Sequence, residues 1–224
     1  MRPPDAEALI VIDMQRDFLD PAGYIARSGV DVSVLRAPIP NVRRLLQGAR
    51  AAGIPVIHTR EGHRPDLTDL NAVKARRAAG VGAAIGSHGP LGRLLVRGER
   101  GHAIVDELAP LPSETVIDKP GFGAFYATDL ELVLRAAGVG TLTLAGVTTD
   151  VCVHSTLREA VDRGFECRTV GDACAAADAA IHEAMLACIA GEGGILGRVV
   201  TTAEVVTGWS QARRLTAAAP SLLT

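Results

Sequence analysis

Aromatic residues are scarce in this 224-residue sequence, which contains one Trp, two Tyr and four Phe. So few rings argue against a surface that stacks nucleic-acid bases or sugars. The net charge of −2 does not match a nucleic-acid-binding domain either, although residues 74–77 form a small basic cluster. No apolar run approaches the roughly 20 residues that a membrane helix needs. We therefore expect no nucleic-acid partner and no membrane span.

Signals for export, disulfides and nucleotide cofactors are also missing. The apolar run at residues 8–12 is too short for a signal-peptide core. The cysteines, Cys152, Cys167, Cys174 and Cys188, all lie in the last third of the chain and form no CxxC pair. This pattern favours free thiols in a reducing, cytoplasmic compartment. Neither G-x-G-x-x-G nor G-x-x-x-x-G-K-[ST] occurs, so no nucleotide cofactor is expected.

Six short apolar runs predict six strands, at residues 8–13, 56–59, 115–119, 141–146, 166–170 and 197–201. Unbroken runs of this length suit strands that are buried on both faces of a parallel sheet. Helical patterns lie between most of them, at residues 38–52, 128–137, 152–163 and 175–190. Capping-box spacings open the second of these helices at Thr128 and a short further helix at Thr201. The alternation predicts one α/β domain over residues 1–224, with a mainly parallel, Rossmann-like sheet between two helix layers.

Two segments do not fit this alternation. Between residues 60 and 101 no strand can be read, although residues 70–77 could form a helix. Such a long irregular insertion is usually a functional loop or an interface. The tail at about residues 209–224 is either flexible or packed on a partner subunit, and the sequence leaves both interpretations open.

Three reactive side chains fall at predicted strand ends, where ligands bind in open α/β sheets. Asp13 ends the first strand, Lys119 ends the third, and Cys152 follows the fourth at the start of a helix. A helix N-terminus stabilises both a thiolate and an oxyanion. The set suits nucleophilic attack on a carbonyl. By position alone, however, Cys152 could equally be a small buried residue like the other three cysteines, and Asp13 and Lys119 could be turn or loop residues.

Three motifs resemble those of the isochorismatase-like cysteine hydrolase superfamily: VIDMQRDF at residues 11–18, DKPGFGAF at 118–125 and GVTTDVCV at 146–153. The resemblance runs from about Leu9 to about Val200. Within the superfamily the chain most resembles biuret hydrolases and related ureide hydrolases, in the stretches HTREGHRPD at 58–66, ATDLEL at 127–132 and RGFEC at 163–167.

The resemblance implies an isochorismatase-like hydrolase fold and a cysteine mechanism. Cys152 would attack, Asp13 would take its proton, and Lys119 would hold Asp13 and stabilise developing charge. The backbone N–H groups of Thr148 and Cys152 would form the oxyanion hole, beside a cis Val147–Thr148 peptide bond. No cofactor is implied.

The implied reaction is cleavage of a C–N bond of a small ureide through an acyl-thioester, with biuret to allophanate and ammonia as the first candidate. Alternatives are triuret, and a ureidoacrylate- or N-carbamoylsarcosine-type substrate. A carboxylate substrate should need a free arginine in the pocket. A non-catalytic binding member of the fold is a third possibility. A homo-oligomer, tetramer or dimer, is implied, with the 60–101 segment at an interface.

Four further residues are predicted substrate contacts, each with a structural alternative: Phe18, Glu61, Phe125 and Glu192. The two phenylalanines could be plain core. Glu61 could instead form a loop ion pair with a neighbouring arginine, Arg60 or Arg64. Glu192 stands where the resembling biuret hydrolases carry Gln, which would alter the fit of a ureide, or it could cap a turn.

No metal site is predicted. Some nicotinamidase relatives bind a metal through Asp and His after the second strand. In this sequence only His58 and His63 are available there, and the Asp-x-His spacing is missing.

Overall fold

The six apolar runs form the six strands of one parallel sheet in a computed structural model that describes residues 6–218. The strands are β1 (Ala6–Ile12), β2 (Val56–Glu61), β5 (Thr115–Lys119), β6 (Val139–Val147), β7 (Glu166–Ala175) and β8 (Arg198–Val200). A separate antiparallel pair consists of β3 (His88–Gly89) and β4 (Gly92–Arg93). The sheet order is β5-β2-β1-β6-β7-β8. Chain order therefore reverses at β1, which is the switch point where open α/β sheets bind ligands.

Nine helices accompany these strands within residues 6–218. They are α1 (Arg16–Leu19), α2 (Tyr24–Arg27), α3 (Val32–Arg36), α4 (Ile39–Ala52), α5 (Ala72–Gly80), α6 (Leu130–Ala136), α7 (His154–Asp162), α8 (Ala179–Ala190) and α9 (Thr202–Ala218). A 3₁₀ turn lies at Asp106–Leu108 and a π-helical turn at Thr149–Val153. None of these helices is both long and apolar enough to cross a membrane.

The sheet is buried on both faces, as its apolar runs predict. On β1, Leu9 and Val11 pack into a core shared with α4 and α9. Ala8, Ile10 and Ile12 point the other way, into a core shared with α6 and α7. Alternate residues of one strand thus serve opposite cores, and both must be apolar. The predicted three-layer α/β/α fold is confirmed.

Of the five predicted helix starts, two are correct and three are displaced; the helix expected from Cys152 begins at His154, because Cys152 itself lies in the π-helical turn before it. The helix at residues 38–52 is α4, and the capping box at Thr201 is real, since its backbone N–H donates to Glu204 at 2.7 Å. At Thr128 the reciprocal box is missing. Its hydroxyl accepts from Leu130 N–H at 3.3 Å, whereas Glu131 pairs with arginines. The helix expected from residue 175 begins at Ala179 because β7 continues through Ala175.

The helix α8 is largely exposed, and this corrects one cysteine assignment. Cys167 and Cys174 are buried as expected, but Cys188 is exposed. The reason is that α8 turns only Ile189 fully into the core. Leu186 packs partly against the core, whereas several other apolar residues face outward, including Ile181, which is 45% exposed.

The tail is helical up to the end of the described residues. The helix α9 continues through Ala218, and Trp209 within it is buried against the α4 side of the sheet. Residues 209–218 of the predicted tail are therefore helical, its packing on a partner subunit stays a prediction, and residues 219–224 lie outside the described part of the chain.

The 60–101 segment is more ordered than predicted. Its first two residues, Arg60 and Glu61, belong to β2, and it contains α5 and the β3–β4 pair. Asp17, in α1, anchors it by accepting a hydrogen bond from Leu95 N–H at 2.9 Å. Asp17 is fully buried, and desolvation raises its pKa to about 6 despite backbone hydrogen bonds that lower it.

Asp17 should make stability depend on pH in a predictable direction. Its folded pKa lies above the usual 3.8, so the native state binds a proton between about pH 6 and pH 4 that the unfolded state does not. Stability therefore falls as pH rises through this window. Asp17→Asn removes the titration and keeps an oxygen for Leu95 N–H. At pH 8 we expect this variant to exceed wild type in unfolding free energy by about 3 kcal/mol, with the difference vanishing near pH 4. Urea titrations at both pH values measure this, and an equal difference at both would contradict it.

Candidate active site

Four strands end at one edge of the sheet and bring four reactive side chains together. Asp13 follows β1, Glu61 ends β2, Lys119 ends β5, and Cys152 lies in the π-helical turn after β6. All four are buried. Carboxylate oxygens of Asp13 and Glu61 and the sulfur of Cys152 lie within 4.8 Å of one another. The three residues predicted from strand ends therefore meet, with Glu61 as a fourth.

The backbone at the strand ends explains how the turn after β6 reaches Asp13. Asp13 adopts a left-handed conformation (φ 50°), which Asp tolerates better than most residues. Gly146 lies opposite Ile12 with φ 124°, and a Cβ there would collide with the Ile12 backbone. Glycine thus permits a close approach of β6 to β1. The Val147–Thr148 peptide bond is cis, as the resemblance implies.

Asp13 and Lys119 form a buried ion pair with Nζ 2.8 Å from Oδ2. Thr59 Oγ1 donates to the other Asp13 oxygen at 2.6 Å. The Lys119 ammonium also donates to the carbonyls of Gly121 and Phe122, at 3.0 and 2.9 Å. Burial alone would lower the pKa of Lys119, but the acidic groups around it, Asp13 first, raise it. Lys119 is therefore a fixed cation with a fully satisfied ammonium group.

Glu61 is the second carboxylate beside the thiol. Cys152 Sγ donates to Glu61 Oε2 at 3.4 Å, and Lys74 Nζ lies 2.5 Å from Glu61 Oε1. Lys74 comes from α5, donates to Pro120 O at 2.7 Å and lies 5.0 Å from the centroid of the Phe122 ring. Through this one ammonium group, α5 is tied to the edge of the sheet.

The partner predicted for Glu61 was wrong. Neither neighbouring arginine contacts it, because Arg60 pairs with Asp118 at 2.7 Å and Arg64 with Asp66 at 3.6 Å. Side chains on a strand alternate between faces, so Arg60 leaves the sheet on the side opposite to Glu61.

The groups at this edge have different pKa shifts with clear causes. Burial raises the pKa of Asp13, and Lys119 lowers it only in part. Burial would also raise the pKa of Glu61, but the Lys119 and Lys74 ammonium groups bring it below its usual value. Burial raises the pKa of the Cys152 thiol well above its usual value. At neutral pH Cys152 is thus a thiol, Asp13 has the raised pKa of a proton acceptor, and Glu61 stays ionised.

A cavity of about 530 Å³ opens onto this edge. Its walls come from the α1–α2 segment, α5, the loop after β5 and the turn after β6. Of the predicted site residues, Phe18, Glu61, Thr148 and Cys152 line it.

Two predicted substrate contacts lie outside this cavity. Phe125 is buried against Phe165, with ring centroids 5.7 Å apart, and the Arg163 guanidinium lies over the Phe125 ring, 4.9 Å from its centroid. Glu192 is exposed in the turn after α8, with φ 51°. The plain-core interpretation of Phe125 and the turn interpretation of Glu192 therefore fit their positions.

Several site residues were missed by the sequence reasoning. Thr59 and Lys74 contact the carboxylates directly, while Phe122 and Tyr126 wall the cavity. Gln15 fixes the end of β2, because its amide donates to Glu61 O at 2.9 Å and its oxygen accepts from Glu61 N–H at 2.6 Å. Gln15 and Phe122 fall inside the recognised motifs, so their motif membership was the available signal. Lys74 was visible only as part of a basic cluster.

Within the described residues, Asp13, Glu61 and Cys152 form the group whose donor atoms are close enough to bind a metal ion in principle. However, the ammonium groups of Lys119 and Lys74 already neutralise both carboxylates. The two histidines considered from the sequence belong to other contacts. His58 pairs with Glu114 at 3.1 Å and His63 with Asp69 at 3.2 Å.

Comparisons with known proteins agree with this architecture. A family model described as Isochorismatase domain matches residues 7–204. Ureidoacrylate amidohydrolase RutB of Yersinia enterocolitica is 38% identical over 168 residues, covering 70% of each protein. RutB of Methylobacterium radiotolerans is 36% identical over 198 residues, covering 83% of this chain and 74% of that protein. A crystal structure of a cysteine hydrolase from Pseudomonas syringae superposes with a TM-score of 0.80 at 30% identity, covering 94% of this chain and 95% of the other.

Proposed function

The chain belongs to the isochorismatase family, and from that premise we propose that it is a cysteine-dependent amidohydrolase cleaving a carbon–nitrogen bond of a small ureide. The observation that supports this most is a buried thiol, Cys152, close to a buried Asp13–Lys119 pair at the open edge of the sheet. A thiol whose pKa is raised needs a base to become a nucleophile, and Asp13 is suited to that role.

The proposed reaction has two halves. Asp13 accepts the thiol proton as Cys152 Sγ bonds to the ureide carbonyl carbon, and the carbonyl oxygen becomes an oxyanion. The backbone N–H groups of Thr148 and Cys152 stabilise that oxyanion. The C–N bond then breaks, Asp13 gives its proton to the leaving nitrogen, and ammonia departs. Water next attacks the acyl-thioester, with Asp13 as base, and restores the thiol. Lys119 remains an ammonium throughout and holds Asp13 in place.

Glu61 binds the substrate in this proposal. Because it stays ionised, it can accept hydrogen bonds from the N–H groups of a ureide, which has several. In the free protein Glu61 accepts a hydrogen bond from the Cys152 thiol, and an N–H group of the ureide would replace the thiol as donor.

Glu61→Gln should lower kcat/KM for a ureide by roughly 10- to 100-fold, the cost of losing hydrogen bonds to a charged acceptor. Glu192→Gln is the matched control, since Glu192 is exposed outside the cavity, and it should change kcat/KM less than twofold. Steady-state ammonia release measures both. Equal effects of the two substitutions would argue against Glu61 as a substrate contact.

Biuret is the first substrate to test, and triuret and N-carbamoylsarcosine belong in the same panel. Ureidoacrylate is a second candidate because two relatives with 36–38% identity are named for that activity. We expect ammonia release from at least one of the four, and an acyl adduct on Cys152 in acid-quenched samples analysed by intact-mass spectrometry. Absence of both ammonia and adduct with every ureide would overturn the proposal and favour a non-catalytic binding protein.

We also propose that the protein forms a homo-oligomer. Support comes from α8, whose residues are apolar on nearly every side although only Ile189 is buried. Helices of that kind are normally covered, and a second copy of the chain would cover this one. Sedimentation velocity tests it, and a monomer at micromolar concentration would contradict it.

A further inference from the structure

The cavity is much larger than the smallest ureides require. Its volume of about 530 Å³ lies in the range of sites for drug-sized ligands. Biuret is a flat molecule of two joined urea units and would fill only the part next to Cys152. Most of the cavity would then hold water against its walls.

Those walls are apolar and exposed. Val73, Val81, Phe122 and Tyr126 line the cavity and are between 44% and 61% exposed. Soluble proteins rarely gather large exposed apolar side chains in one concave surface unless a ligand or partner covers them. A polar ureide without carbon substituents would gain nothing from these walls, whereas an apolar substituent would.

The acidic side chains of the cavity are already paired, and one arginine that lines it has no acidic partner among the described residues. Glu61 is paired with Lys74, and Asp69 is engaged by Arg97 at 3.3 Å and by a histidine on its other side. Arg77 also lines the cavity, and it makes no hydrogen bond or ion pair with any of residues 6–214, the residues whose side chains are described. This is the free arginine that a carboxylate substrate requires.

The position of Arg77 sets the direction of such a substrate. It lies three residues after Lys74 on α5, and residues so spaced share one side of a helix. Lys74 reaches inward to Glu61, whereas Arg77 is exposed at the cavity mouth. Cys152 therefore marks the reactive part of the cavity and Arg77 the part that can bind an anion, and the exposed apolar side chains line the same cavity.

On the basis of the proposed function, we infer that the substrate is a ureido acid with an apolar body, whose carbamoyl group faces Cys152 and whose carboxylate binds Arg77. A guanidinium fork matches a carboxylate in two parallel hydrogen bonds. An N-carbamoyl amino acid with a branched aliphatic side chain has all three features: the carbamoyl group, the apolar body and the carboxylate. Biuret lacks the body and the anion, and ureidoacrylate lacks the body.

The reaction on such a substrate balances without a further reactant. Sγ bonds to the carbamoyl carbon, the bond to the terminal nitrogen breaks, and ammonia leaves with the proton held by Asp13. Water then cleaves the thioester to an N-carboxy amino acid, which loses carbon dioxide and yields the free amino acid. Ammonia release reports the first half for every ureide, so one assay compares all substrates.

The test compares N-carbamoyl-leucine with two partial substrates. N-carbamoylglycine keeps the carboxylate without the apolar body, and 3-methylbutylurea keeps the body without the carboxylate. With wild-type protein we expect kcat/KM for N-carbamoyl-leucine to exceed each of these, and biuret, at least about tenfold. A kcat/KM for either partial substrate or for biuret equal to or above that of N-carbamoyl-leucine would overturn the inference.

Arg77→Leu should lower kcat/KM for N-carbamoyl-leucine at least about tenfold, mainly through KM, and leave 3-methylbutylurea within twofold. Arg76→Leu is the matched control, because Arg76 is exposed on the same helix but does not line the cavity. It should change neither substrate. Equal losses on both substrates with Arg77→Leu would show that the carboxylate does not bind there. No ammonia from any ureide, biuret included, would instead refute the proposed function itself.

Discussion

Replacing Cys152 with serine should lower kcat/KM for the best ureide by at least about 10⁴-fold, in the range found when a hydrolase loses its nucleophile. A serine hydroxyl holds its proton far more tightly than a thiol. Burial already raises the pKa of the thiol at this position and would disfavour an alkoxide still more. Asp13 could not remove that proton at a useful rate. Ammonia release measures the loss, and intact-mass spectrometry should show that the acyl adduct has disappeared.

The exposed Cys188 provides the control. Cys188→Ser changes a thiol on α8, outside the cavity, and should leave kcat/KM within twofold of wild type. Iodoacetamide should inactivate wild type and the Cys188→Ser variant alike, by modifying Cys152. A Cys152→Ser variant that keeps more than a tenth of wild-type activity would mean that another group carries out the attack.

Lys119→Met should damage both stability and activity. Removing one member of a buried ion pair leaves an uncompensated charge, which typically costs about 3–5 kcal/mol of unfolding free energy. Here the loss would strand the Asp13 carboxylate and deprive the Gly121 and Phe122 carbonyls of their donor. Activity should fall at least about 10³-fold, because Asp13 would no longer be held in place and, without the ammonium that lowers it, the pKa of Asp13 would rise further. Urea titration at pH 8 and ammonia release measure the two effects.

A second variant separates charge from packing. Asp13→Asn combined with Lys119→Met removes both charges, so it should regain part of the lost stability while remaining inactive. The deficit of Lys119→Met alone should also be smaller at pH 5 than at pH 8. The reason is that without the ammonium the already raised pKa of Asp13 rises further and the carboxyl takes up a proton. If Lys119→Met alone were as stable as wild type at pH 8, the ion pair would have no structural role.

The residues at the edge of the sheet where the reaction takes place could be predicted from the sequence better than the residues that form the cavity walls. Asp13, Lys119 and Cys152 could be found because the first two lie at the end of an apolar strand run and Cys152 lies in the turn after one, and parallel strands end at one edge. Glu61 was identified as a candidate, but its partner was not. Lys74 is far from it in the chain, and only the packing of α5 over the sheet edge brings the two together.

The local sequence pattern also did not show which side chains of short helices and loops are buried or line the cavity and which face solvent. Lys74, Arg76 and Arg77 look alike in sequence, yet Lys74 is buried by its contacts to Glu61 and Pro120, while the two arginines are exposed. Among the aromatics of one motif, Phe122 lines the cavity and Phe125 does not. Loop residues have no fixed period from which to read their direction.

Strand length was the weaker part of the fold prediction. The strand β7 was expected to end at residue 170, where its apolar run ends; the next two residues, Gly171 and Asp172, are of types that are rare inside strands. It continues to Ala175 because the pairing with β6 shifts register between Leu144 and Gly146, after which Cys174 pairs with Gly146. Such a bulge has no clear sequence signature.

Lys74 ties α5 to the edge of the sheet, and the exposed side chains of α5 can change separately from the groups that break the bond. The bond-breaking groups sit on strand ends that the core holds rigid, whereas the walls that meet the rest of a substrate come largely from α5 and the loop after β5. New side chains at Val73, Arg77 or Val81 can accumulate there without disturbing the buried charges. Substitutions on this one surface helix can thus change the substrate specificity of the same scaffold, provided that Lys74 is kept.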